Sequence, residues 1–424
     1  MRKLLVFVLL LVFVAAFGSV SAASATKPTV VTLTFDDGNA DQTAALPILR
    51  KYGMVGTFYI ITGSVGEPNY LTRAELDNIA AAGNEIGGHT VTHPDLTTLP
   101  ADEVMRQACL SRSTLAGWGY RVTSFAYPYA AANSAAETAV ANCGYNSARG
   151  LGDIASAYGC KGCPRAETLP PRDPYWLRAL DEVDPRWTLA QLQDTVTKAR
   201  AAGGGLLPFT FHHICDACDE LAISPALLDR FLGWLSTQSG VQVKTMDQAI
   251  GGQLRPIVNA PPGTNTGLVN ASLENPAGGT GLPDCWMEGG WGSNSATFRR
   301  TTDAHSGSSA EEVQVTNYQS GDAKLLPTMD LGSCTPNAVP GTAYQVGSWY
   351  KSTGITQFAL YYRNSAGGWA YWTSSPWFAA EGDWTQASWT TPPLPADATA
   401  VSFGLALIAN GTLVTDDYSF GPAR

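Results

Sequence analysis

Two adjacent carboxylates, Asp36 and Asp37, follow directly on an apolar, β-rich run, Val30–Phe35. Carboxylates leaving a buried strand are costly unless a cation or a proton holds them. His89 and His93 stand four apart in His89-Thr90-Val91-Thr92-His93, right after the short apolar stretch Glu85–Gly88. At that spacing two imidazoles fall on one side of a helical turn and can reach one metal ion. A second pair, His212-His213, ends the run Leu206–Phe211. Only five histidines occur in the chain, and these four all sit where strand-like runs end. Taken singly, an Asp-Asp-Gly is a turn and paired histidines are capping residues. Taken together at one edge of one sheet, they read as a metal-assisted centre.

The elements that would position them alternate. Runs Val30–Phe35, Val55–Ile61, Val122–Tyr127, Leu206–Phe211 and Val241–Met246 are separated by helix-patterned segments Gln42–Tyr52, Thr72–Ala82, Ala101–Trp118, Leu189–Ala202 and Pro225–Thr237. Strands alternating with helices imply a parallel sheet, here of the β/α-barrel kind, with chemistry gathered at the C-terminal ends of strands. Residues 24–250 form this α/β unit. Residues 251–266 shift to Pro, Gly, Asn and Thr and read as a linker. From 267 to 424 helical signals vanish, and short alternating stretches cut by turns predict an all-β sandwich, jelly-roll-like.

The strings Thr34-Phe35-Asp36-Asp37-Gly38, His89-Thr90-Val91-Thr92-His93, Phe125-Ala126-Tyr127-Pro128-Tyr129 and Phe211-His212-His213, in that order, resemble the polysaccharide deacetylase family, carbohydrate esterase family four. The resemblance covers residues 28–250. It implies a distorted (β/α) barrel and a metal-dependent hydrolase acting on N-acetyl groups of an N-acetylglucosamine-containing polymer: chitin-like, poly-N-acetylglucosamine or peptidoglycan. It further implies Asp36 as general base, with Asp37, His89 and His93 as ligands of a divalent metal, Zn2+ being the expected ion. Thr90 would brace the second loop, Tyr129 would offer its backbone N–H to the developing oxyanion, and His212, rather than His213, would be the general acid.

Two positions depart from the family pattern. Ala126 stands where an arginine tunes the catalytic aspartate, leaving Arg165, Arg172 and Arg178 as candidates to replace it. The Trp and Asp that support the acid histidine fall among Trp176, Asp181, Asp184 and Trp187. Two other readings stay open: an esterase removing O-acetyl groups from a xylan-type polymer, and a catalytically silent glycan-binding protein.

Arg2 and Lys3 precede the apolar run Leu4–Phe17 and the small residues Val20-Ser21-Ala22, the pattern of a signal peptide over residues 1–23. An uncleaved anchor is the alternative, though a span needs roughly 20 apolar residues. Export implies an extracellular protein with no membrane attachment after cleavage. Without the two leader cations, 24 basic residues face 36 acidic ones, which argues against nucleic acid as a partner. In an oxidising compartment the eight cysteines read as disulfides, with Cys109–Cys143 and Cys285–Cys334 as pairs. Cys160, Cys163, Cys215 and Cys218 are either disulfides or a four-thiolate zinc site. Eight of twelve tryptophans lie beyond residue 267, which suggests a carbohydrate-binding module with Trp369, Tyr371 and Trp372 as its platform. Asp416-Asp417 resembles the calcium-binding carboxylates of such modules.

Overall fold

The computed structural model describes residues 28–278 and 281–423, so the expected leader lies outside the described residues. Strands β1 (Thr29–Phe35), β2 (Thr57–Ile60), β3 (Glu85–Gly88), β4 (Ser124–Ala126), β5 (Ser147–Arg149) and β6 (Gly205–Phe211) form a parallel sheet in the order β5-β4-β3-β2-β1-β6. The short pair β7 (His213–Ile214) and β8 (Ala222–Ile223) follows, and β9 (Val241–Val243) joins the start of β1. Helices α1 (Ala45–Lys51), α2 (Arg73–Ala81), α3 (Ala101–Gly117), α4 (Ser134–Asn142), α5 (Leu189–Ala201), α6 (Pro225–Leu235) and α7 (Met246–Ile250) accompany the strands. Boundaries follow local chemistry. Thr72, Thr188 and Thr245 each cap a helix, with the residue three further on, Glu75, Gln191 or Gln248, reaching back.

The barrel closes imperfectly. Between β5 and β6, residues 167–183 substitute for a strand: Leu177 N–H reaches Ala148 O at 2.8 Å, and Val183 N–H reaches Thr210 O at 2.8 Å. This is the distortion of the (β/α) barrel. Its value to the site is that an irregular segment, rather than a strand, forms one wall of the cavity above the strand ends.

Ten antiparallel strands follow: β10 (Trp286–Trp291), β11 (Ser295–Thr301), β12 (Ala310–Thr316), β13 (Asp322–Pro327), β14 (Tyr344–Ser352), β15 (Thr356–Asn364), β16 (Trp369–Ser374), β17 (Glu381–Thr390), β18 (Ala398–Leu407) and β19 (Gly411–Pro422). They make two five-stranded sheets, β10-β13-β18-β15-β16 and β11-β12-β19-β14-β17. Leu325, Phe358 and Phe403 of the first interdigitate with Val313, Val346 and Leu413 of the second in one apolar cluster.

The tryptophans of this region divide. Trp286 is buried, and Trp372 and Trp389 pack against the core, whereas Trp291 and Trp377 are exposed. The expected platform is therefore corrected: Trp372 faces inward, Trp369 is half-buried, and of the three only Tyr371 is open to solvent. Asp416 and Asp417 are committed otherwise than to calcium. Asp416 accepts from the His305 and Ser306 N–H groups, and Asp417 from the His305 ring at 2.6 Å.

All eight cysteines are paired. Cys109–Cys143 and Cys285–Cys334 match the expectation, and each C-x-x-C closes on itself as Cys160–Cys163 and Cys215–Cys218. The four-thiolate alternative is thereby set aside.

The connecting segment is fastened rather than loose. The buried Arg112 of α3 donates to Val122 O and Cys143 O within the barrel, and to Pro256 O and Arg255 O of the connection. Further on, the buried Glu103 of α3 accepts the Leu331 N–H at 2.7 Å and the Ser333 hydroxyl at 3.3 Å. The β15–β16 turn, Gly367-Gly368, seats against Val91 and Gly63, where any added Cβ would fall inside neighbouring atoms. Replacing Arg112 by Met strands four carbonyls, so unfolding free energy is expected to drop by about 2–4 kcal/mol in a denaturant titration. A drop below about 0.5 kcal/mol would show that the strap carries no load.

Candidate active site

Register explains the convergence. Phe35 pairs with Phe211, so the residues that follow, Asp36 and His212, leave adjacent strands side by side. Phe58 of β2 stacks on Phe35 at 4.5 Å and Phe211 lies 5.4 Å away, forming an apolar floor below them. Gln42 spans both strand ends, donating to Asp36 O and, at 2.8 Å, to His212 O. Immediately after Asp36 the backbone turns left-handed at Asp37 (φ 75°), which sends the two carboxylates in different directions.

Across the sheet, Ile60 pairs with Gly88, and the His89 N–H continues the ladder to Ile60 O at 3.1 Å. The His89 Nδ1 lies 2.7 Å from Ala126 O. A carbonyl can only accept, so Nδ1 carries the proton and Nε2 presents its lone pair. Beyond it the chain is held in left-handed conformations at Thr90 (φ 66°) and His93 (φ 59°). Thr90 Oγ1 accepts the His93 N–H at 2.9 Å, and Gln107 of α3 accepts from the N–H groups of Val91 and Thr92. Strained backbone persists only where the surroundings over-determine it.

Asp37 Oδ1, His89 Nε2 and His93 Nε2 form a triangle with sides of 3.2, 3.3 and 3.2 Å. Ligand atoms bound at 2.0–2.1 Å to a tetrahedral ion stand about 3.3–3.4 Å apart. Asp37 Oδ1 is buried and no N–H is aimed at it with hydrogen-bond geometry. The donor set, the spacing and the orphaned oxygen fit a divalent cation. Burial alone would raise the Asp37 carboxyl, but its contact with His89 and the surrounding imidazoles outweigh this and hold it well below the usual carboxylate range. Burial and the neighbouring His89 push His93 down to about 4, in keeping with a neutral imidazole free to ligate.

One cavity of about 540 Å³ collects Asp36, Asp37, His89, His93, Tyr129 and His212, with Asp181 and Glu182 from the irregular wall and Leu151 from just past β5. Tyr129 and Ala130 are also left-handed (φ 55° and 52°), and the exposed Tyr129 ring meets His93 edge-on at 4.7 Å. His213 turns away: its Nδ1 bonds Asp41 at 2.7 Å. Asp41 also lies near Cys215 and Cys218, but the two sulfurs are committed to their disulfide. His212 Nδ1 is buried and has no hydrogen-bond partner among the described residues. None of the four residues expected to support it does so. Trp176 Nε1 donates to Asp153, Trp187 Nε1 to Glu182 O, Asp184 pairs with Arg186, and Asp181 takes the Ser156 hydroxyl.

The missing arginine is present after all, in another strand. Arg149, at the end of β5, is fully buried and bonds Asp36 Oδ1 through Nη2. Its partner across the sheet is Ala126, the position where the arginine was expected. The guanidinium has moved one strand sideways at the same height, and it lies over the Tyr59 ring at 5.0 Å. Arg165, Arg172 and Arg178 make no contact with Asp36 among the described residues; Arg178 faces Glu167 instead.

The sequence profile described as Polysaccharide deacetylase matches residues 23–148, the segment that carries Asp36, Asp37, His89, His93 and Tyr129. Over this segment the chain is similar to the polysaccharide deacetylase family. The putative polysaccharide deacetylase YxkH of Bacillus subtilis is 31% identical over 117 residues, 27% of this chain and 42% of the relative. The peptidoglycan-N-acetylglucosamine deacetylase PgdA of Listeria monocytogenes is 30% identical over 106 residues, 24% of this chain and 22% of the relative. A chitooligosaccharide deacetylase of Rhizobium leguminosarum is 36% identical over 77 residues, 18% of this chain and 34% of the relative. The chain thus spans less than half the length of these curated relatives. Among solved structures, the Xyl-CE4 domain of a multidomain xylanase from the hindgut metagenome of Trinervitermes trinervoides aligns at 19% identity. It covers 53% of this chain and 90% of that one, with a TM-score of 0.37.

Removing Arg149 from the barrel leaves the Asp36 carboxylate buried and unpaired, which costs about 3–5 kcal/mol. Arg149→Ala is therefore expected to lower stability by that amount. The double change Ala126→Arg with Arg149→Ala, which returns the guanidinium to the neighbouring strand, is expected to recover at least half. Equal stability of the single and double variants, read by thermal or urea unfolding, would show that the pair is positional rather than electrostatic.

Proposed function

We propose that this protein is an exported, zinc-dependent hydrolase that removes N-acetyl groups from a polysaccharide containing N-acetylglucosamine. One observation carries the reading: the Asp37–His89–His93 triangle opens into the same cavity as the Arg149-paired Asp36 and His212. The printed names of the relatives, peptidoglycan and chitooligosaccharide deacetylases, support a glycan amide as substrate. The basic, apolar and small residues at the start of the chain support export.

The chain's own residues divide the work. Asp37, His89 and His93 would hold a divalent cation, which polarises the acetyl carbonyl and lowers the pKa of a water when bound. Asp36 accepts the proton of the attacking water. Its carboxylate is held by Arg149, and its backbone carbonyl by Gln42, so it does not reorganise as charge develops. The left-handed turn at Tyr129 brings its backbone to the cavity, where its N–H can meet the oxyanion. His212 delivers a proton to the departing amine, which leaves poorly without one. Attack and departure occur without a covalent bond to the protein.

Acetate release from N-acetylglucosamine oligomers and peptidoglycan is expected to vanish on chelation and return with zinc, and to be lost in Asp36→Asn and His89→Ala. Survival of activity after chelation and in His89→Ala would remove the mechanism. His212→Ala is expected to keep one bound metal per chain while kcat on the amide falls about 10²–10⁴-fold. An alkoxide leaves more readily than an amine, so a small effect of that change together with faster release from acetylated xylan would assign the protein as an O-acetyl esterase.

A further inference from the structure

The sheet β10-β13-β18-β15-β16 turns one face to the sandwich core and the other to solvent. On the outer face its polar and aromatic residues are not scattered. Gly290, Trp291, Asp322, Gln357, Ala359, Tyr361, Tyr371 and Ser374 line a depression of about 620 Å³. A second hollow of about 600 Å³ continues it through Gly289, Met287 and Phe298. Both edge strands therefore contribute to one recess. The aromatic walls stand open: Trp291 is 66% and Tyr371 59% exposed. Tyr361 braces Tyr371 edge-on at 5.9 Å. In the wall between them, Lys324 is fully buried, bonded to Asp322 and 5.4 Å from the Tyr361 ring centre. Gln357, Ala359 and Tyr361 pair with Ala406, Gly404 and Ser402 of the central strand, so small side chains follow the middle of the sheet.

We propose that this face is a glycan-binding groove holding a stretch of the polysaccharide away from the point of hydrolysis. Sugar rings present apolar C–H faces and a rim of hydroxyls that both donate and accept. Exposed aromatic planes suit the faces, while the Asp322 carboxylate and the Gln357 amide suit the rim. Asp322 and Lys324 neutralise one another, so the groove offers no net charge from this pair to an acidic or basic partner. That pairing, with 36 acidic against 26 basic residues overall, selects a neutral polymer over nucleic acid.

The groove is also joined to the catalytic cavity. Tyr371 lies three residues from Gly368, about 10 Å along an extended strand, and Gly368 abuts Gly63 beside Val91, two residues from both His89 and His93. A chain bound at Tyr371 is thus held near the metal-binding loop at a set separation, which raises the local concentration of its acetyl groups. That the bound polymer is also the substrate rests on the proposed function; binding itself does not.

The test uses the full chain carrying Asp36→Asn, with retention measured on chitin, peptidoglycan, acetylated xylan and cellulose. The parent is expected to bind at least one of them. Adding Trp291→Ala and Tyr371→Ala together is expected to weaken that binding at least tenfold. Trp377→Ala, which removes an exposed aromatic outside the groove, is expected to change it less than twofold. Melting temperatures verify folding of each variant. Wild-type affinity in the double variant, equal losses on changing Trp377, or no retention of the parent on any polymer would overturn the proposal. If acetate release fails in the unmutated chain while groove-dependent retention persists, the catalytic reading falls and the groove stands.

Discussion

Everything in the barrel domain depends on parallel strands ending at one level. Because β1 lies in register with β6 and β2 with β3, the residues just past Phe35, Phe211 and Gly88 emerge together over an apolar floor. Side chains more than a hundred residues apart in sequence become neighbours without any motif linking them. The floor excludes water below, and the left-handed turns at Asp37, Thr90, His93 and Tyr129 fan the side chains out above it. Such strain is tolerable because Gln42, Gln107 and Thr90 fix the surrounding backbone.

How much of this was legible follows from signal length. Asp36, Asp37, His89, His93 and His212 were readable because rare residue types recur at the ends of recognisable apolar runs. Arg149 was not. Its strand has three residues, Ser147-Ala148-Arg149, with no apolar run to announce it. Only pairing with β4 reveals that Arg149 stands level with Ala126. What the fold maintains here is a charge at one height of a sheet, and a search for a residue at a fixed place along the chain misses it.

Of the ten sandwich strands, β10, β11, β13 and β17 carry no clean apolar alternation in sequence. The causes are specific. β10 carries Gly289-Gly290, β11 is an edge strand with Arg299 and Arg300, and β13 places Asp322 and Lys324 on its outer face. β17 is an edge strand that is mostly polar or exposed. Edge strands and strands lining a recess lose the clean apolar alternation that a sandwich core imposes elsewhere. The aromatic platform was misplaced for a related reason: composition shows how many tryptophans there are, while a bulge within the β15–β16 pairing decides which of them face outward.

The seam between barrel and sandwich has a consequence for how such proteins diversify. Glu103, Gln107 and Leu331 connect the interior of one domain to the backbone of the other, and Gly367-Gly368 abuts the segment holding both histidines. Appendages on enzymes are commonly shuffled because they hang from inert tethers. Here an exchanged partner would leave the carboxylate at 103 without its Leu331 donor and uncover Val91 beside the ligand loop. Exchange of the sandwich at this boundary would therefore disturb the segment carrying both histidines, so the two domains are coupled in structure and not merely tethered.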